Sequence, residues 1–506
     1  MSIVSALVGF IALMFMSRFV GSEYGVMMLW WSFVGLVNLL TDMGFNAACI
    51  KSIGEKKDFN ACVSSLAVIK TGMSVVLAVI VIGYLGYLYT VGSLTDTIRN
   101  IVLMFLLYYL IYNATWVMVC AFDGLLDVTR SSIVQLSEVI VRSSLFIVFA
   151  YMQYNVEILS SACLIGITFA FFLACVFFRP YRFHFVRPVL IRDYAGFMKS
   201  VAVGITMMTA LTYLDKTTVG LFCGTQDVGY YSAAAGVAYA MTTLGLAINN
   251  VLLPKFSEQN SRHDAASQRK MLSNAQRYVS LCILPLLIVI ALFGTDIVVI
   301  FLGEGYAPAG SVLSIMTVFM YSFVMVGIDT QLLYSINCLT AYRRASLIFS
   351  AVTIALLFIL VPSNIGPITL IGWGIRGAAV SISCGYLLFF LMLSYISRVH
   401  IHFTVYPKIY RQAVIVILVS LVLLVVDRLF IDSMNLIELI FIALLCLVVY
   451  AVLALVFREI TVCEVKKVLY PLFHRHSRRL NLTVESTAER GEVSTDVDVA
   501  SVIVGS

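Results

Sequence analysis

Fourteen stretches of mostly apolar residues, separated by short polar connectors, occupy most of this chain of 506 residues. A helix that crosses a bilayer needs about 20 such residues in succession. Charged residues make up only 12% of the sequence, which is about half the share of a soluble protein. The pattern therefore predicts an all-α polytopic membrane protein with about fourteen transmembrane helices. The stretches cover residues 3–16, 26–40, 61–88, 101–121, 132–151, 158–178, 201–222, 230–253, 279–301, 312–333, 345–361, 372–396, 413–426 and 436–457.

Lysine and arginine are unevenly divided between the connectors. The even-numbered connectors hold 19 of them, whereas the odd-numbered connectors hold only Arg18, Arg99 and Arg428. Connectors rich in positive charge remain in the cytoplasm. We therefore expect a multi-pass protein of the cell membrane with both termini in the cytoplasm.

Two adjacent charges, Asp215 and Lys216, lie inside the apolar stretch 201–222. A charge at membrane depth costs roughly 2.5–3.5 kcal/mol on insertion scales, so it is retained where it faces water, a partner or a substrate. Neighbouring residues on a helix do not face each other. We therefore expect each charge to have its own polar surroundings, which predicts a polar cavity between helices.

A weak internal repeat relates the end of the first stretch to the end of the seventh. Residues 18–25 read RFVGSEYG and residues 221–230 read LFCGTQDVGY. Parallel repeats of six spans would follow, with a substrate site at their interface near the bilayer midplane. The predicted divisions are a six-helix lobe at 1–178, a basic cytoplasmic linker at 179–200, a second six-helix lobe at 201–396, helices 13–14 at 397–457 and a cytoplasmic tail at 458–506 that we expect to be disordered.

The polar segment 257–278 has a helical composition and carries several charges. Charge runs of this kind mark solvated faces. We therefore expect a linker helix on the cytoplasmic surface.

Catalytic, metal and nucleic-acid signatures are missing from the sequence. The eleven cysteines fall mostly within the apolar stretches and form no CxxC pair, so they are expected to be small apolar residues. All six histidines lie on the predicted cytoplasmic side, and the short outer connectors carry no paired carboxylates. We expect no bound cofactor, no nucleic-acid partner and no enzyme activity, which argues against a membrane glycan polymerase or ligase.

Four passages together resemble one family of transporters. They are residues 18–25 followed by 41–45 (TDMGF), residues 214–258, residues 301–306 (FLGEGY) and residues 374–379 (GIRGAA). With the fourteen-span plan they cover roughly residues 1–457. In their order and spacing the chain resembles the polysaccharide and lipid-linked oligosaccharide flippases of the multidrug/oligosaccharidyl-lipid/polysaccharide exporter (MOP) superfamily.

This resemblance implies two pseudo-symmetric six-helix bundles around a central cavity, plus two C-terminal helices. It also implies alternating access that moves an oligosaccharide, linked to polyprenyl phosphate or pyrophosphate, from the inner to the outer leaflet for surface polysaccharide or glycan assembly. The expected partners are the lipid bilayer, the lipid-linked glycan and other membrane proteins of glycan assembly. The alternative on the same fold is an ion-coupled exporter of amphipathic or cationic small molecules.

A phosphate-bearing substrate needs a hydrated cationic cavity, so basic residues at membrane depth or at span ends are the candidates for binding it. These residues are Lys216, Arg142, Arg18, Lys70 and Arg376. For four of them a purely structural role is the alternative. Lys216 would form a buried ion pair with Asp329 or Glu138, and Arg142 would pair with Glu138 one helical turn earlier. Lys70 would extend towards the cytoplasm, and Arg376 would cap an interface.

The acidic candidates are Asp215, Asp329, Glu138 and Asp42. Burial favours the protonated form of a carboxyl group. Asp215 and Asp329 would therefore bind H⁺ or Na⁺ as the coupling ion, or would balance the charges of Lys216 and Arg142. Glu138 is expected to balance charge, and Asp42 would balance charge or cap the end of its span.

Overall fold

The computed structural model describes residues 2–197, 203–261, 265–336, 338–401, 409–430, 435–457 and 459. Almost all of these residues are helical, and fourteen of the helices have 19 residues or more. These fourteen correspond one to one with the predicted apolar stretches. Ten helices in the described part of the chain are long and apolar enough to cross a membrane by length and composition. The predicted tail lies outside the described residues, apart from Glu459.

The first lobe consists of the helices that precede residue 198. Its long helices pack together through α1 with α6, α2 with α4 and α5, and α7 with α5 and α6. The helices are α1 (Ser2–Val20), α2 (Glu23–Asp42), α3 (Phe45–Gly54), α4 (Phe59–Val91), α5 (Asp96–Gly124), α6 (Val128–Tyr151), α7 (Val156–Phe178) and α8 (Ile191–Phe197). The short helices α3 and α8 pack against each other.

The second lobe is built around α12, which packs against α10, α11 and α14. Its helices are α9 (Val203–Phe222), α10 (Thr225–Ser261), α11 (Ala265–Leu302), α12 (Ala307–Ser335), α13 (Leu339–Leu360) and α14 (Gly374–Ile401). Between α13 and α14 a small antiparallel hairpin pairs β1 (Asn364–Ile365) with β2 (Ile368–Thr369).

Successive long helices run in opposite directions, so the two ends of the molecule can be told apart. We call the end that contains the start of α1 the terminal face. We call the opposite end, which contains the α1–α2 turn and the β-hairpin, the distal face. Polar caps fix several helix starts, because a side-chain oxygen there accepts a backbone N–H that has no partner within the helix. Asp58 caps α4 in this way on the terminal face, and Thr95 caps α5 on the distal face.

The polar segment 257–278 differs from its prediction. It is helical, but α10 continues to Ser261 and α11 starts at Ala265, so its described residues extend two long helices. The expected separate surface helix is therefore wrong. The polar ends of α10 and α11 continue the spans because their residues form helix as readily as the apolar parts do.

Two further helices, α15 (Ile409–Phe430) and α16 (Leu436–Val456), pack on α11. Pro285 lies within α11, and its carbonyl accepts a contact of 3.4 Å from the Cys446 thiol of α16. Just after α16, Glu459 is buried and lies 3.7 Å from the guanidinium of Arg277. An ion pair thus joins the end of α16 to the second lobe.

The start of the connection between the lobes is fixed to the first lobe. We call residues 179–197 the strap. Three of its backbone N–H groups donate to α4 side chains: His184 to Asn60, Val186 to Ser64 and Leu190 to Ser65, at 3.1–3.2 Å. The buried Tyr194 hydroxyl also donates to the Cys62 carbonyl at 3.3 Å. The described part of the predicted linker therefore belongs to the surface of the first lobe.

Candidate functional site

A cavity of about 670 Å³ lies between the two lobes. Its walls come from α1, α2 and α6 of the first lobe and from α10 of the second. Arg142 is the charged residue in this lining, and Trp31 and Tyr239 are among its aromatic residues. The cavity thus combines one cation with apolar and aromatic walls, at the interface where a repeat architecture places its substrate.

Arg142 lies near the middle of α6 and is held on two sides. Its Nε is 2.8 Å from the Glu138 carboxylate, and its guanidinium carbon is 5.6 Å from the centre of the Trp31 ring. The Arg142 side chain is 25% exposed. The contact with Glu138 is an ion pair without hydrogen-bond geometry, and the two terminal nitrogens likewise donate to no residue that the structure describes. The predicted pair within one helix forms, and the rest of the guanidinium remains available in the cavity.

The adjacent charges in α9 contradict the expectation that they cannot pair. Asp215 Oδ1 accepts the backbone N–H of Lys216 at 2.6 Å and lies 3.7 Å from Lys216 Nζ. The Lys216 amine also donates to the Thr212 carbonyl at 2.7 Å. Flexible side chains let neighbouring residues meet even though their Cβ atoms diverge. Lys216 is therefore not paired with Asp329 or Glu138.

Lys216 lies behind the cavity wall and does not line it directly. Its Nζ is 6.0 Å from the centre of the Tyr239 ring, and Tyr239 faces the cavity. Asp215 is fully buried and accepts a second hydrogen bond of 2.9 Å from Tyr231. The second lobe thus holds its cation one aromatic ring away from the cavity.

The lobes are in close contact at the distal face. Gly25 of α2 and Gly229 of α10 approach so closely that a Cβ on Gly25 would lie 2.8 Å from the Gly229 nitrogen. The Tyr306 hydroxyl donates to the Gly21 carbonyl at 2.7 Å, again between lobes. Arg18 Nε donates to the Phe301 carbonyl at 3.1 Å, close to the end of α11. These contacts close the interface on the distal side of the cavity.

The two repeat sequences occupy equivalent turns at this closure. Gly21 ends α1 with φ +62°, and Gly224 ends α9 with φ +99°. Such positive φ values cost little only for glycine. The second glycine of each repeat, Gly25 or Gly229, then faces the other across the lobe interface. The repeat therefore marks the places where the lobes meet.

Two of the predicted cavity cations lie at distal cavities instead. Arg18 lines a cavity of about 560 Å³ between the lobes, beside Tyr230 and Tyr306. Arg376 lines another of about 630 Å³ within the second lobe, and its Nε donates to Ser311 at 3.1 Å. Neither residue lines the central cavity. Their positions near span ends, which the sequence indicated, explain this placement.

Lys70 also lies away from the central cavity. It is 3% exposed within α4, and its Nζ is 3.8 Å from the Asp42 carboxylate at the end of α2. Lys70 is therefore buried beside an acid and does not extend into solvent. Asp42 balances charge in this position.

Asp329 of α12 is fully buried without a basic partner in the described chain. Its Oδ1 accepts from Gln276 of α11 and its Oδ2 accepts from Ser394 of α14, both at 2.9 Å. It therefore balances neither Lys216 nor Arg142. Three helices instead place two neutral donors around one carboxyl group.

The aromatic part of the cavity was only partly visible in the sequence. Trp31 belongs to a Trp-Trp pair that stands out in α2, but its neighbour Trp30 is buried and does not line the cavity. Nothing in the sequence marks Tyr239 as a cavity residue, because a tyrosine in an apolar stretch can equally well pack between helices. Only the packing of α9 against α10 shows that Tyr239 separates Lys216 from the cavity.

Known structures share this fold. A structure of the lipid II flippase MurJ in an inward closed conformation matches with a TM-score of 0.69 and 15% identity over 90% of this chain and 97% of that chain. An inward-facing multidrug resistance MATE family transporter of the MOP superfamily matches with a TM-score of 0.60 and 15% identity. The match covers 79% of this chain and 94% of that chain. A MOP superfamily transporter from Pyrococcus furiosus matches with a TM-score of 0.53 and 14% identity. The match covers 79% of this chain and 95% of that chain. At such identities the matches show the fold.

No curated protein sequence matches the chain. The family described as "Polysaccharide biosynthesis protein" matches residues 15–311, which is more than half of the chain. That region contains α2 to α10, both repeat sequences, and every residue that lines the central cavity from α2, α6 and α10. The predicted fold class is confirmed, and the likeness to MOP superfamily structures is one of fold. The chain is a multi-pass membrane protein that belongs to the polysaccharide biosynthesis protein family.

Proposed function

We propose that this protein is a flippase that moves a saccharide linked to polyprenyl phosphate or pyrophosphate across the bilayer. The observation that carries the proposal is the placement of Arg142, whose terminal nitrogens are unpaired in a cavity between two lobes. Phosphate and saccharide groups cannot cross hydrocarbon without polar partners. A guanidinium supplies several donors in a planar fork that fits phosphate oxygens.

The charge balance of the cavity suits reversible binding. Glu138 pairs with one edge of Arg142 and partly offsets its charge. A transported anion must be attracted strongly enough to enter and weakly enough to leave. The Lys216 amine, behind Tyr239 and 3.7 Å from Asp215, adds a partly offset positive charge from the other lobe without lining the cavity.

The distal closure suggests how access alternates. In the observed conformation the lobes meet at Gly25 and Gly229, so the cavity is shut on the distal side. With the predicted orientation this side faces outward, and the substrate would enter from the cytoplasmic leaflet. Separation of the lobes at the glycine contact would then release it to the outer leaflet of the cell membrane, where other membrane proteins of glycan assembly would take it up.

Asp329 is the better of the two candidates for a coupling-ion site. Asp215 already lies 3.7 Å from the Lys216 amine, whereas Asp329 has only the neutral donors Gln276 and Ser394. A buried carboxyl group without a cation favours uptake of H⁺ or Na⁺. Because three helices of the second lobe surround it, ion binding there would change how that lobe packs.

A leaflet assay tests the proposal. A fluorescent lipid-linked oligosaccharide is placed in liposomes, and its accessibility to a membrane-impermeant quencher is followed with and without the protein. We expect protein-dependent exchange that Arg142→Ala slows, while the exposed arginine variant Arg99→Ala keeps it. Absence of exchange with several lipid-linked glycans, under H⁺ and Na⁺ gradients, would refute the flippase and favour an exporter of amphipathic or cationic small molecules.

A further inference from the structure

The distal cavity around Arg376 is a candidate site with no role in the transport cavity. Its volume is about 630 Å³, and Trp373, Arg376 and Asp227 line it. The walls come from the start of α10, from α12 and from the segment that opens α14. It therefore belongs to the second lobe alone.

The backbone around Trp373 is held rigidly. Gly372 and Gly374, on either side, have φ values of +69° and +56°. The Trp373 N–H donates to the Leu360 carbonyl at 2.8 Å, and the Gly374 N–H donates to the Val361 carbonyl at 3.2 Å. The indole itself is 53% exposed. A fixed backbone thus presents an exposed aromatic face at the cavity.

The polar groups of this cavity are largely unengaged. Arg376 uses Nε for Ser311, and its terminal nitrogens have no partner in the described chain. The half-buried carboxylate of Asp227 likewise has no hydrogen-bond or ion-pair partner among the described residues. By contrast, Arg18 and Tyr306 in the neighbouring interlobe cavity are occupied in joining the lobes. Unengaged donors and acceptors in a concave site favour a polar ligand.

We propose that Trp373, Arg376 and Asp227 form a saccharide-binding subsite on the distal face. A saccharide ring offers an apolar face to the indole, while its hydroxyl groups accept from the guanidinium and donate to the carboxylate. The membrane-interface position common for tryptophan would require neither the cavity nor the two unpaired charges.

Asp227 lies on the side of α10 that faces away from the lobe contact. It precedes Gly229 by two residues, which is about 3 Å along the helix axis and about 200° around it. The subsite is therefore near the distal end of the lobe contact but outside it. It would hold the saccharide on the outer side after release; this assignment rests on the proposed function.

The fluorescence of Trp373 can report saccharide binding directly. All four tryptophans lie in the described chain, and Trp373 is the exposed one, whereas Trp30 is buried and Trp31 and Trp116 are partly buried. The full chain is placed in lipid nanodiscs, and quenching of its emission by acrylamide is measured while maltotetraose or tetragalacturonate is added. Trp373→Phe identifies the accessible emission.

We expect at least one of the two saccharides to protect the accessible emission at saturable concentration. Arg376→Ala should raise the apparent dissociation constant at least tenfold, and Arg99→Ala, an exposed arginine of the first lobe on the same face, should leave it unchanged. No protection by either saccharide would overturn the proposal in favour of an interfacial tryptophan. An equal loss in both arginine variants would overturn it as well, because the effect would then be general surface charge.

The binding assay needs no transport, so the two proposals can fail separately. Protection of Trp373 together with no leaflet exchange would refute the flippase and leave a saccharide site. Leaflet exchange without protection would refute the subsite alone.

Discussion

Arg142 can be tested for substrate binding against simple charge balance. Its ion pair with Glu138, at 2.8 Å within one helix, is a sufficient structural reason for an arginine at this depth. Its unpaired terminal nitrogens in the cavity indicate a second role. Arg142→Ala alone removes both roles, whereas the double variant Glu138→Ala/Arg142→Ala removes the cation without leaving an unpaired acid.

The two roles predict different magnitudes. A hydrogen bond to a charged group contributes about 1.5–3 kcal/mol, which corresponds to a roughly ten- to hundredfold change in rate. The contacting atoms, Glu138 Oε1 and Arg142 Nε, are both buried. Removal of one partner of a buried pair destabilises a protein by about 3–5 kcal/mol. That cost lowers the amount of folded protein and not the exchange rate of each folded molecule.

The assay is the initial rate of leaflet exchange in liposomes at equal protein density. We expect Arg142→Ala and the double variant to be slowed alike, by about ten- to hundredfold, because removal of Glu138 does not restore the phosphate contact. Glu138→Ala alone should lower the thermal midpoint but slow exchange less than Arg142→Ala does, because the guanidinium remains in the cavity. The exposed pair of Asp96 and Arg99, also 2.8 Å apart, is the matched control and should tolerate the same double substitution.

One result would refute this reasoning. If the double variant regains a rate within about fivefold of the unchanged protein while Arg142→Ala alone stays slow, Arg142 serves only to balance Glu138. The phosphate would then have to contact another group, and Lys216 would be the remaining basic residue near the cavity.

Two more substitutions test the lobe contact and the strap. Gly25→Ala should weaken the distal closure, because its Cβ would lie 2.8 Å from the Gly229 nitrogen, and spin labels on α2 and α10 should report longer distances. Gly83→Ala, with no atom within 4 Å, should leave those distances unchanged; an equal response would contradict the closure. Tyr194→Ala should lower the thermal stability in detergent, since truncating a buried aromatic residue costs about 3–5 kcal/mol. Phe185→Ala, at a side chain 64% exposed, should change it little, and equal midpoints would refute the anchoring role.

The helices could be located from sequence because hydropathy responds directly to the bilayer. The stretch predicted at 61–88 is α4 (Phe59–Val91), and the stretch predicted at 436–457 is α16 (Leu436–Val456). Hydropathy gives no information once a helix leaves the hydrocarbon, so the polar end of α10 was misjudged. The short helix α8 was missed for a related reason, since seven residues at a surface show no apolar span.

Most contacts between side chains could not be predicted from sequence spacing, because they depend on rotamers and on how the helices pack. Glu138 and Arg142 were predictable as a pair, because positions four apart lie on one helix face. Asp215 and Lys216 were not, because their contact depends on rotamers. Asp329 had two expected basic partners and has neither, since the packing of α11 and α14 around α12 decides which groups reach it.

The contacts of the strap bear on the order in which parts of the chain can fold during synthesis. Its described hydrogen bonds to α4, and the buried Tyr194, involve only residues that precede residue 198. Domains fold as units from the N-terminus while translation continues. The ribosome has therefore delivered these partners of the strap before α9 is made. The first lobe can complete this part of its terminal face early, so the second half of the chain can pack on a surface that is already folded.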